Sequence, residues 1–274
     1  MLLYTLKSEV KESINYEINL KKTIGLVPTM GALHQGHLSL LKHAIIACDV
    51  VWVTIFVNPT QFNNANDFKT YPRDLDKDIK LLKKLKVDFL YLPLVSQIYS
   101  DKKLNITRLN KSQKILCAKF RKGHFEGVLD VLNRFTSIIK PKNIFMGEKD
   151  YQQFFLVRKF IERKYKTKVI VCRTIRDTNK IALSSRNSLM DLESFKKAGK
   201  ISLELIKLKS LIKKDIKDKK LIKKIKSDLI KKFKIKIEYL ECRNLINLNT
   251  DLKNKPFKLF VAYYLKGVRL IDNF

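Results

Sequence analysis

The sequence predicts an α/β protein: a doubly wound parallel sheet followed by a smaller α+β domain. Near-continuous runs of β-branched and aromatic residues occur at 23–27 and 50–57, as is typical of strands that are covered on both faces. The segment between them has apolar residues at helical spacing, namely Leu38, Leu40, Leu41, Ala44, Ile45 and Ala47. Strand, loop, helix and strand in this order predict a βαβ unit.

The same alternation continues along the chain. Predicted helices are followed by predicted strands three more times, as 74–86 and 87–92, 127–139 and 143–146, and 150–163 and 168–174. This repetition predicts a Rossmann-like sheet.

From about residue 185 the pattern changes to lysine-rich helices and then to two strand-like segments, 235–242 and 257–264. We therefore predict two domains. The first is a Rossmann-like domain that binds the substrates, over residues 1–184, and the second is a smaller C-terminal lid domain over residues 185–274.

The chain has 57 Lys and Arg against 26 Asp and Glu, a formal net charge of +31. Such a balance is common in nucleic-acid-binding domains. Here much of the excess is lysine in the last third, where apolar residues at helical spacing make the lysines the solvated face of amphipathic helices. They are Leu208, Leu211, Ile212, Ile216, Leu221, Ile222, Ile225 and Leu229. We expect no nucleic-acid partner, and a basic RNA-binding module is the alternative from another functional class.

The opening residues 1–7 become charged too early for a signal peptide, and no later stretch approaches the ~20 apolar residues of a membrane span. The four cysteines are dispersed, without the Cys-x-x-Cys spacing of a metal or redox site. We therefore expect a cytoplasmic protein with no membrane partner and with reduced, structural thiols.

The loop after the first predicted strand combines two glycines with two histidines. Gly31 and Gly36 allow backbone N–H groups to approach a phosphate, and the N-terminus of the next helix favours negative charge. His34 and His37 could donate to phosphate oxygens as these gain charge, or they could merely cap a helix or fill a core. His-x-Gly-His after a buried strand is typical of the adenylyl-transferring superfamily that includes class I aminoacyl-tRNA synthetases.

Other polar groups follow the carboxyl ends of predicted strands, where open α/β sheets bind ligands. Asn58 and Gln61 carry amides that could orient a small hydroxy acid, although an Asn-Pro turn explains Asn58 equally well. Lys149 and Asp150 suit phosphate and ribose hydroxyls, although a surface ion pair is the commoner fate of such residues.

Two further groups are weaker candidates. Arg121 and His124 flank Gly123 before a predicted helix, and a positive pair there suits a triphosphate or a leaving pyrophosphate, with plain solvated charge as the alternative. Asp78 is the best carboxylate for Mg²⁺, but this ion usually relies on substrate phosphates and water, and Asp78 could be a helix-surface charge.

Sequence blocks along the whole chain resemble the pantothenate synthetase family. The family pattern Pro-Thr-Met-Gly-x-Leu-His-x-Gly-His matches residues 28–37 at every fixed position. Further blocks follow in family order at 56–62, 71–73, 121–128, 147–153, 184–187 and 269–273. The blocks at 56–62 and 147–153 distinguish this family from the wider superfamily. Another small-molecule nucleotidyltransferase of that superfamily is the nearest alternative.

The resemblance implies an amide-forming ligase that uses ATP to condense pantoate with β-alanine. Pantoate would first become a pantoyl adenylate with release of pyrophosphate, and β-alanine would then displace AMP to give pantothenate. Mg²⁺ is the implied metal, and a homodimer is the implied assembly.

The resemblance also implies a set of site residues, in one cleft between the domains. The implied catalytic residues are His34, His37 as proton donor, Lys149 and Arg186. The implied contacts to pantoate and β-alanine are Asn58, Gln61, Arg121, His124 and Gln153. The implied contacts to ATP are Met30, Gly31, Ala32, Leu33, His34, Gln35, Gly36, His37, Gly147, Glu148, Lys149, Asp150, Ile175, Leu183, Ser184, Ser185 and Arg186.

The chain departs from the family pattern before this last block, where the usual Asp-Gly-Leu-Ala is replaced by residues 179–182, Asn-Lys-Ile-Ala. The lost glycine leaves a side chain where positive φ can be required, a region that Asn179 tolerates. Lys122 and Leu183 also differ from the family's usual proline and methionine. We expect altered loop geometry without the loss of a group that the mechanism needs.

Overall fold

The computed structural model describes residues 1–100, 108–214 and 219–274. It divides into two compact units, Met1–Thr174 and Ile175–Phe274. The predicted domain boundary at residues 184 and 185 stays a prediction. Within the described part of the chain, no helix combines the length and the apolar character that crossing a membrane requires.

A six-stranded parallel sheet forms the centre of the first unit. Its strands are β1 (Leu2–Tyr4), β2 (Ile24–Thr29), β3 (Val50–Ile55), β4 (Phe89–Tyr91), β5 (Asn143–Gly147) and β6 (Lys168–Cys172). They lie side by side in the order β1-β4-β3-β2-β5-β6. The predicted doubly wound parallel sheet is confirmed, with the addition of β1, which is too short to show a periodic pattern.

The helices of this unit are α1 (Lys7–Asn19), α2 (Gln35–Ala47), α3 (Ala65–Lys69), α4 (Leu75–Lys84), α5 (Val95–Ile98), α6 (Leu116–Phe120), α7 (His124–Ile139) and α8 (Tyr151–Lys164). Leu41 of α2 and Leu82 of α4 belong to the apolar core on one face of the sheet. Phe135 of α7 packs edge-on against Tyr91. Because both faces are covered, the central strands are apolar nearly throughout.

Strand β2 lies at the topological switch point of the sheet. β3 and β4 extend from it on one side, and β5 and β6 extend from it on the other. Open α/β sheets bind ligands outside the carboxyl ends of their strands at such a point. The segments that follow β3, β2 and β5 therefore meet at one edge of the sheet.

The second unit is a three-stranded antiparallel sheet packed against two helices. The helices are α9 (Leu192–Lys214) and α10 (Lys219–Phe233), and the strands are β7 (Lys236–Asn244), β8 (Phe257–Leu265) and β9 (Val268–Asn273), in the order β7-β8-β9. The two predicted strands are present as β7 and β8, and β9 completes the sheet. Together with the first unit, this confirms the predicted fold class.

The core of the second unit explains why apolar residues recur at helical spacing in the lysine-rich helices. Leu208, Ile212 and Leu229 are buried in it, whereas Leu211 is 46% exposed, and Ile216 lies outside the described residues. Lys209 departs from the expected solvated face, because it is buried and its Nζ donates to the carbonyl of Phe257 at 2.6 Å.

None of the four cysteines belongs to a disulfide bond within the described residues. Cys117, Cys172 and Cys242 are buried, and Cys48 is half-buried. Burial raises the pKa of the Cys172 and Cys242 thiols to about 11, which keeps both protonated and weakly nucleophilic at neutral pH.

Candidate active site

A carboxylate from α4 holds the loop that joins β2 to α2. Asp78 Oδ1 accepts the N–H of Leu33 at 2.7 Å, and Oδ2 accepts the N–H of Ala32 at 2.8 Å. Gly31 has a φ of +79°, and a Cβ at this position would come within 3.0 Å of Asp78 Oδ2. Glycine is therefore required here both for its backbone conformation and for the space it leaves to the carboxylate.

The surroundings of Asp78 do not resemble a magnesium site. The residue is 1% exposed, and burial raises the pKa of its carboxyl against the opposing effect of the two backbone N–H groups. In the described ranges, no group of three or more His, Cys, Asp or Glu side chains is placed to hold a metal ion. The assignment of Mg²⁺ to Asp78 stays a prediction, and the geometry favours a loop-positioning role.

The two histidines of the loop lie against each other with ring centroids 4.1 Å apart. His34 caps α2, and its Nδ1 accepts the N–H of Gly36 at 3.1 Å. His37 Nδ1 accepts the N–H of His34 at 3.3 Å. A ring nitrogen that accepts a hydrogen bond carries no proton, so each neutral imidazole has its proton on Nε2.

Their electrostatic surroundings favour this neutral state. The pKa of His34 falls from 6.5 to about 4, mainly because the ring is buried and to a smaller extent because of the positive charge of Lys149. The pKa of His37 falls to about 3, again mainly because of burial, with smaller contributions from His34 and Lys149. At neutral pH both rings are therefore Nε2–H hydrogen-bond donors, and neither is the imidazolium that the predicted role of His37 as proton donor would require.

The segment after β5 brings a cation to the histidines. Residues Glu148–Asp150 form a 3-10 helix, and Lys149 Nζ lies 3.2 Å from Asp150 Oδ2, with 17% of the lysine side chain exposed. The positive charge of Lys149 is close enough to contribute to the lowered pKa of both histidines. Gly147 is the last residue of β5, so the predicted phosphate-binding segment begins at the sheet edge.

The segment after β3 contributes a pair of buried amides. Asn58 is 1% exposed and Gln61 is 8% exposed. Asn58 Nδ2 donates to Gln61 Oε1 at 3.2 Å, and Gln61 Nε2 donates to Met30 Sδ at 2.9 Å. The amide pair therefore reaches the histidine loop after β2.

Arg121 and His124 anchor the same segment from the N-terminus of α7. His124 Nδ1 lies 2.7 Å from the carbonyl oxygen of Gln61, which can only accept, so Nδ1 carries the proton. His124 Nε2 then accepts from Arg121 Nη1 at 2.9 Å. Gly127 allows α7 to lie this close to the segment after β3, because a Cβ at residue 127 would lie 2.5 Å from the carbonyl oxygen of Thr60. Direct contact of Arg121 and His124 with substrate stays a prediction.

Gln153, in the first turn of α8, is half-buried. The other predicted ATP contacts belong to the second unit, and they are Ile175, Leu183, Ser184, Ser185 and Arg186. Ser184 Oγ accepts the N–H of Arg186 at 3.3 Å and caps the 3-10 helix Ser185–Leu189. The positive φ expected near Asn179 falls on Lys180, at +73°.

Two residues near the amide pair were not singled out from the sequence. The hydroxyl of Tyr99 donates to Asn58 Oδ1 at 2.7 Å, and Thr60 donates to the same oxygen from its N–H and its hydroxyl. An isolated tyrosine after a short helix carries no sequence signal, whereas Thr60 lies inside the block at 56–62.

The comparisons with known proteins agree along the whole chain. The family model described as Pantoate-beta-alanine ligase matches residues 3–274. A pantothenate synthetase of Thermosipho africanus is 37% identical and covers 97% of both chains. One from Francisella tularensis subsp. mediasiatica is 40% identical and covers 96% of this chain and 93% of its own.

Solved structures extend the agreement to three dimensions. The pantothenate synthetase of Thermus thermophilus superposes with a TM-score of 0.89 at 28% identity, over 100% of this chain and 99% of its own. The pantoate-beta-alanine ligase of Francisella tularensis, complexed with beta-gamma ATP and beta-alanine, superposes with a TM-score of 0.83 at 39% identity, over 100% and 97%. With this fold, this loop and this amide pair, the chain belongs to the pantoate-beta-alanine ligase family of enzymes.

Proposed function

We propose that this chain condenses pantoate with β-alanine in two steps that use ATP. The observation that carries the proposal is the convergence of three segments at the carboxyl ends of β3, β2 and β5. They bring together the amides of Asn58 and Gln61, the neutral pair His34 and His37, and the cation Lys149. Amides suit a hydroxy acid, and N–H donors beside a cation suit a nucleotide phosphate.

In the first step, the pantoate carboxylate attacks the α-phosphorus of ATP, and pyrophosphate leaves with the electron pair of the broken P–O bond. The Nε2–H groups of His34 and His37 donate hydrogen bonds to phosphate oxygens as these gain negative charge, and Lys149 neutralises part of that charge. Because both rings are already neutral and fixed by backbone N–H groups, they need no reorganisation during the reaction.

In the second step, the amine of β-alanine attacks the acyl carbon of the adenylate, and AMP leaves with the electron pair of the broken C–O bond. The attacking nitrogen releases one of its two protons to solvent and keeps the other as the amide N–H. Activation is required because a free carboxylate is a poor acyl donor to an amine. We assign Gln61, whose side chain contacts Asn58 and Met30, to orienting the acid in both steps, and we assign Gln153 to the same task. We assign Ser184, Ser185 and Arg186 to the nucleotide phosphates.

Three further features belong to the proposal and rest on the family. Mg²⁺ would arrive with the phosphates of ATP and reduce their charge, which suits the lack of a carboxylate cluster among the described residues. The assembly would be a homodimer, which light scattering would test. The reaction would take place in the cytoplasm.

The first step can be tested without the second. We expect the protein to exchange labelled pyrophosphate into ATP when pantoate is present and β-alanine is absent. The exchange should depend on pantoate, and His37→Ala should lose most of it. A wild-type protein that forms pantothenate but shows no exchange would exclude a free adenylate intermediate, and one that does neither would exclude the proposed function.

A further inference from the structure

The side chain of Asn58 has one orientation that satisfies its neighbours. Its Oδ1 accepts the backbone N–H of Thr60 at 3.2 Å, and its Nδ2 donates to the backbone carbonyl of Gly127 at 3.2 Å. An N–H can only donate and a carbonyl can only accept, so these two backbone groups fix which end of the amide is oxygen and which is nitrogen. Asn58 is 1% exposed, so water cannot substitute for either partner.

The orientation of Asn58 determines that of Gln61. Because Asn58 Nδ2 donates to the Gln61 side chain at 3.2 Å, the atom it meets must be the oxygen, Oε1. The amide nitrogen of Gln61 must then point the other way, where it lies 2.9 Å from Met30 Sδ in the histidine loop. Gln61 therefore presents N–H donors, and not an acceptor, on the side that faces the histidine loop after β2.

Tyr99 secures the start of this chain of hydrogen bonds. Its hydroxyl donates to Asn58 Oδ1 at 2.7 Å, the shortest hydrogen bond that the side chain of Asn58 makes within the described residues. The guanidinium of Arg134 lies 4.8 Å above the Tyr99 ring, and Arg134 also donates to the carbonyl of Ile98 at 2.8 Å. Arg134 thereby helps to hold Tyr99, whose hydroxyl meets the oxygen of the Asn58 amide, while Gln61 meets its nitrogen.

We infer that Tyr99 is a positioning residue that, through Asn58, fixes Gln61 with its NH₂ group directed at the acid substrate. This inference rests on the proposed function, because it assigns the acid to the NH₂ side of Gln61. A donor suits the oxygens of a carboxylate or a hydroxyl. If the amide turned over, its oxygen would repel a carboxylate.

The test compares Tyr99→Phe, which keeps the ring and removes only the hydroxyl, with Tyr91→Phe. The hydroxyl of Tyr91 is buried and has no hydrogen-bond partner within the described residues, so this control removes the same atom without touching Asn58. Pantoate and ATP affinities would be measured by calorimetry, pantoate in the presence of a non-hydrolysable ATP analogue, together with the KM of each in pyrophosphate exchange.

For Tyr99→Phe we expect pantoate binding to weaken by about 3- to 10-fold, as for the loss of one hydrogen bond, with ATP binding changed less than twofold. Tyr91→Phe should match the wild type. In an Asn58→Ala background the effect of Tyr99→Phe on pantoate binding should disappear, because the accepting oxygen is gone.

Unchanged pantoate binding in Tyr99→Phe would overturn the inference, as would an effect of equal size in the Asn58→Ala background. Equal weakening of pantoate and ATP would also overturn it, since a general structural loss would act on both. Failure of the proposed function is a separate result, because the wild-type protein would then show no pantoate-dependent exchange.

Discussion

The Nδ1 atoms of His34 and His37 already accept backbone N–H groups, so in the proposed mechanism both rings act as fixed Nε2–H donors. A glutamine can place a neutral N–H near the position of His Nε2, whereas an alanine cannot. The two substitutions therefore separate hydrogen-bond donation from proton donation at position 37.

We expect His37→Gln to retain much more pyrophosphate exchange than His37→Ala. Loss of one donor to developing charge commonly costs about 10²- to 10³-fold in kcat, and this is our expectation for His37→Ala. The measurement is the exchange rate at saturating ATP and pantoate. Equal loss in both variants would instead support proton donation by His37.

The lowered pKa values also predict how stability changes with pH. The unfolded chain takes up its histidine protons near pH 6.5, but folded His34 and His37 do so only at about 4 and about 3. Between these values the unfolded state binds more protons at these two positions, so the two histidines lower the free energy of unfolding as the pH decreases. Urea unfolding at about pH 7 and pH 5 measures the fall.

The matched control for this pH effect is the double variant His34→Gln/His37→Gln. It lacks both groups, so its stability should fall less between the same two pH values. An equal fall in wild type and double variant would show that the two rings titrate normally in the folded protein.

Asp78→Asn tests the loop-positioning role against the metal role. The asparagine can accept one of the N–H groups of Ala32 and Leu33 but turns its own NH₂ toward the other. We expect a loss of about 2 kcal/mol in unfolding free energy and slower exchange, with an unchanged Mg²⁺ concentration at half-maximal rate. A Mg²⁺ requirement raised more than tenfold would favour the metal role. The control is Asp74→Asn at the exposed N-cap of α4, where an asparagine can still accept the N–H of Lys77.

At the scale of elements, the turn before the serine-rich block carries a side chain in a glycine conformation. Arg176 pairs with Ala182 across this turn, and Lys180 is exposed with a φ of +73°. The positive φ costs a lysine roughly 1 kcal/mol relative to glycine. Part of the stability gained by a glycine at this position is offset, because glycine also increases the conformational entropy of the unfolded chain.

We therefore expect Lys180→Gly to raise the unfolding free energy by up to about 1 kcal/mol. The same replacement at Lys224, exposed within α10, should lower it by about 1 kcal/mol, because glycine weakens a helix interior. Urea unfolding of both variants gives the comparison. A destabilised Lys180→Gly variant would show that contacts of the Lys180 side chain stabilise the fold by more than the positive φ destabilises it.

The elements that were predictable from sequence are those whose periodicity persists over a full strand or helix. β2, β3 and β5 are buried on both faces and have the expected apolar runs, while β1 has three residues and no period to detect. The histidine loop and the amide pair followed from local motifs. Tyr99 could not be found in this way, because its contact with Asn58 joins residues 41 positions apart in the chain.

For the whole molecule, the formal net charge of +31 implies self-repulsion in the compact state. Lys7, Lys11, Lys140 and Lys164 illustrate this, because they line one cavity of about 440 Å³ in the first unit. The predicted site residues do not line this cavity, so its charge can be altered without touching them.

We expect the melting temperature to rise between about 20 mM and about 300 mM NaCl, because salt screens repulsion between exposed charges. The melting temperature of the double variant Lys7→Gln/Lys11→Gln should rise less over the same range, since part of the repulsion is already removed. Differential scanning fluorimetry measures both. A melting temperature that falls with salt would show that attractive ion pairs outweigh the repulsion.

The pairing of β1 with β4 has a consequence for how the chain acquires its structure during synthesis. Leu2 pairs with Phe89 and Tyr4 with Tyr91, so β1 leaves the ribosome well before β4 and has no partner until β4 follows. β2 and β3 are the first neighbours in the sheet that become available together, and α2 joins them directly. We therefore expect assembly to start in the middle of the sheet and the edge formed by β1 to be added late.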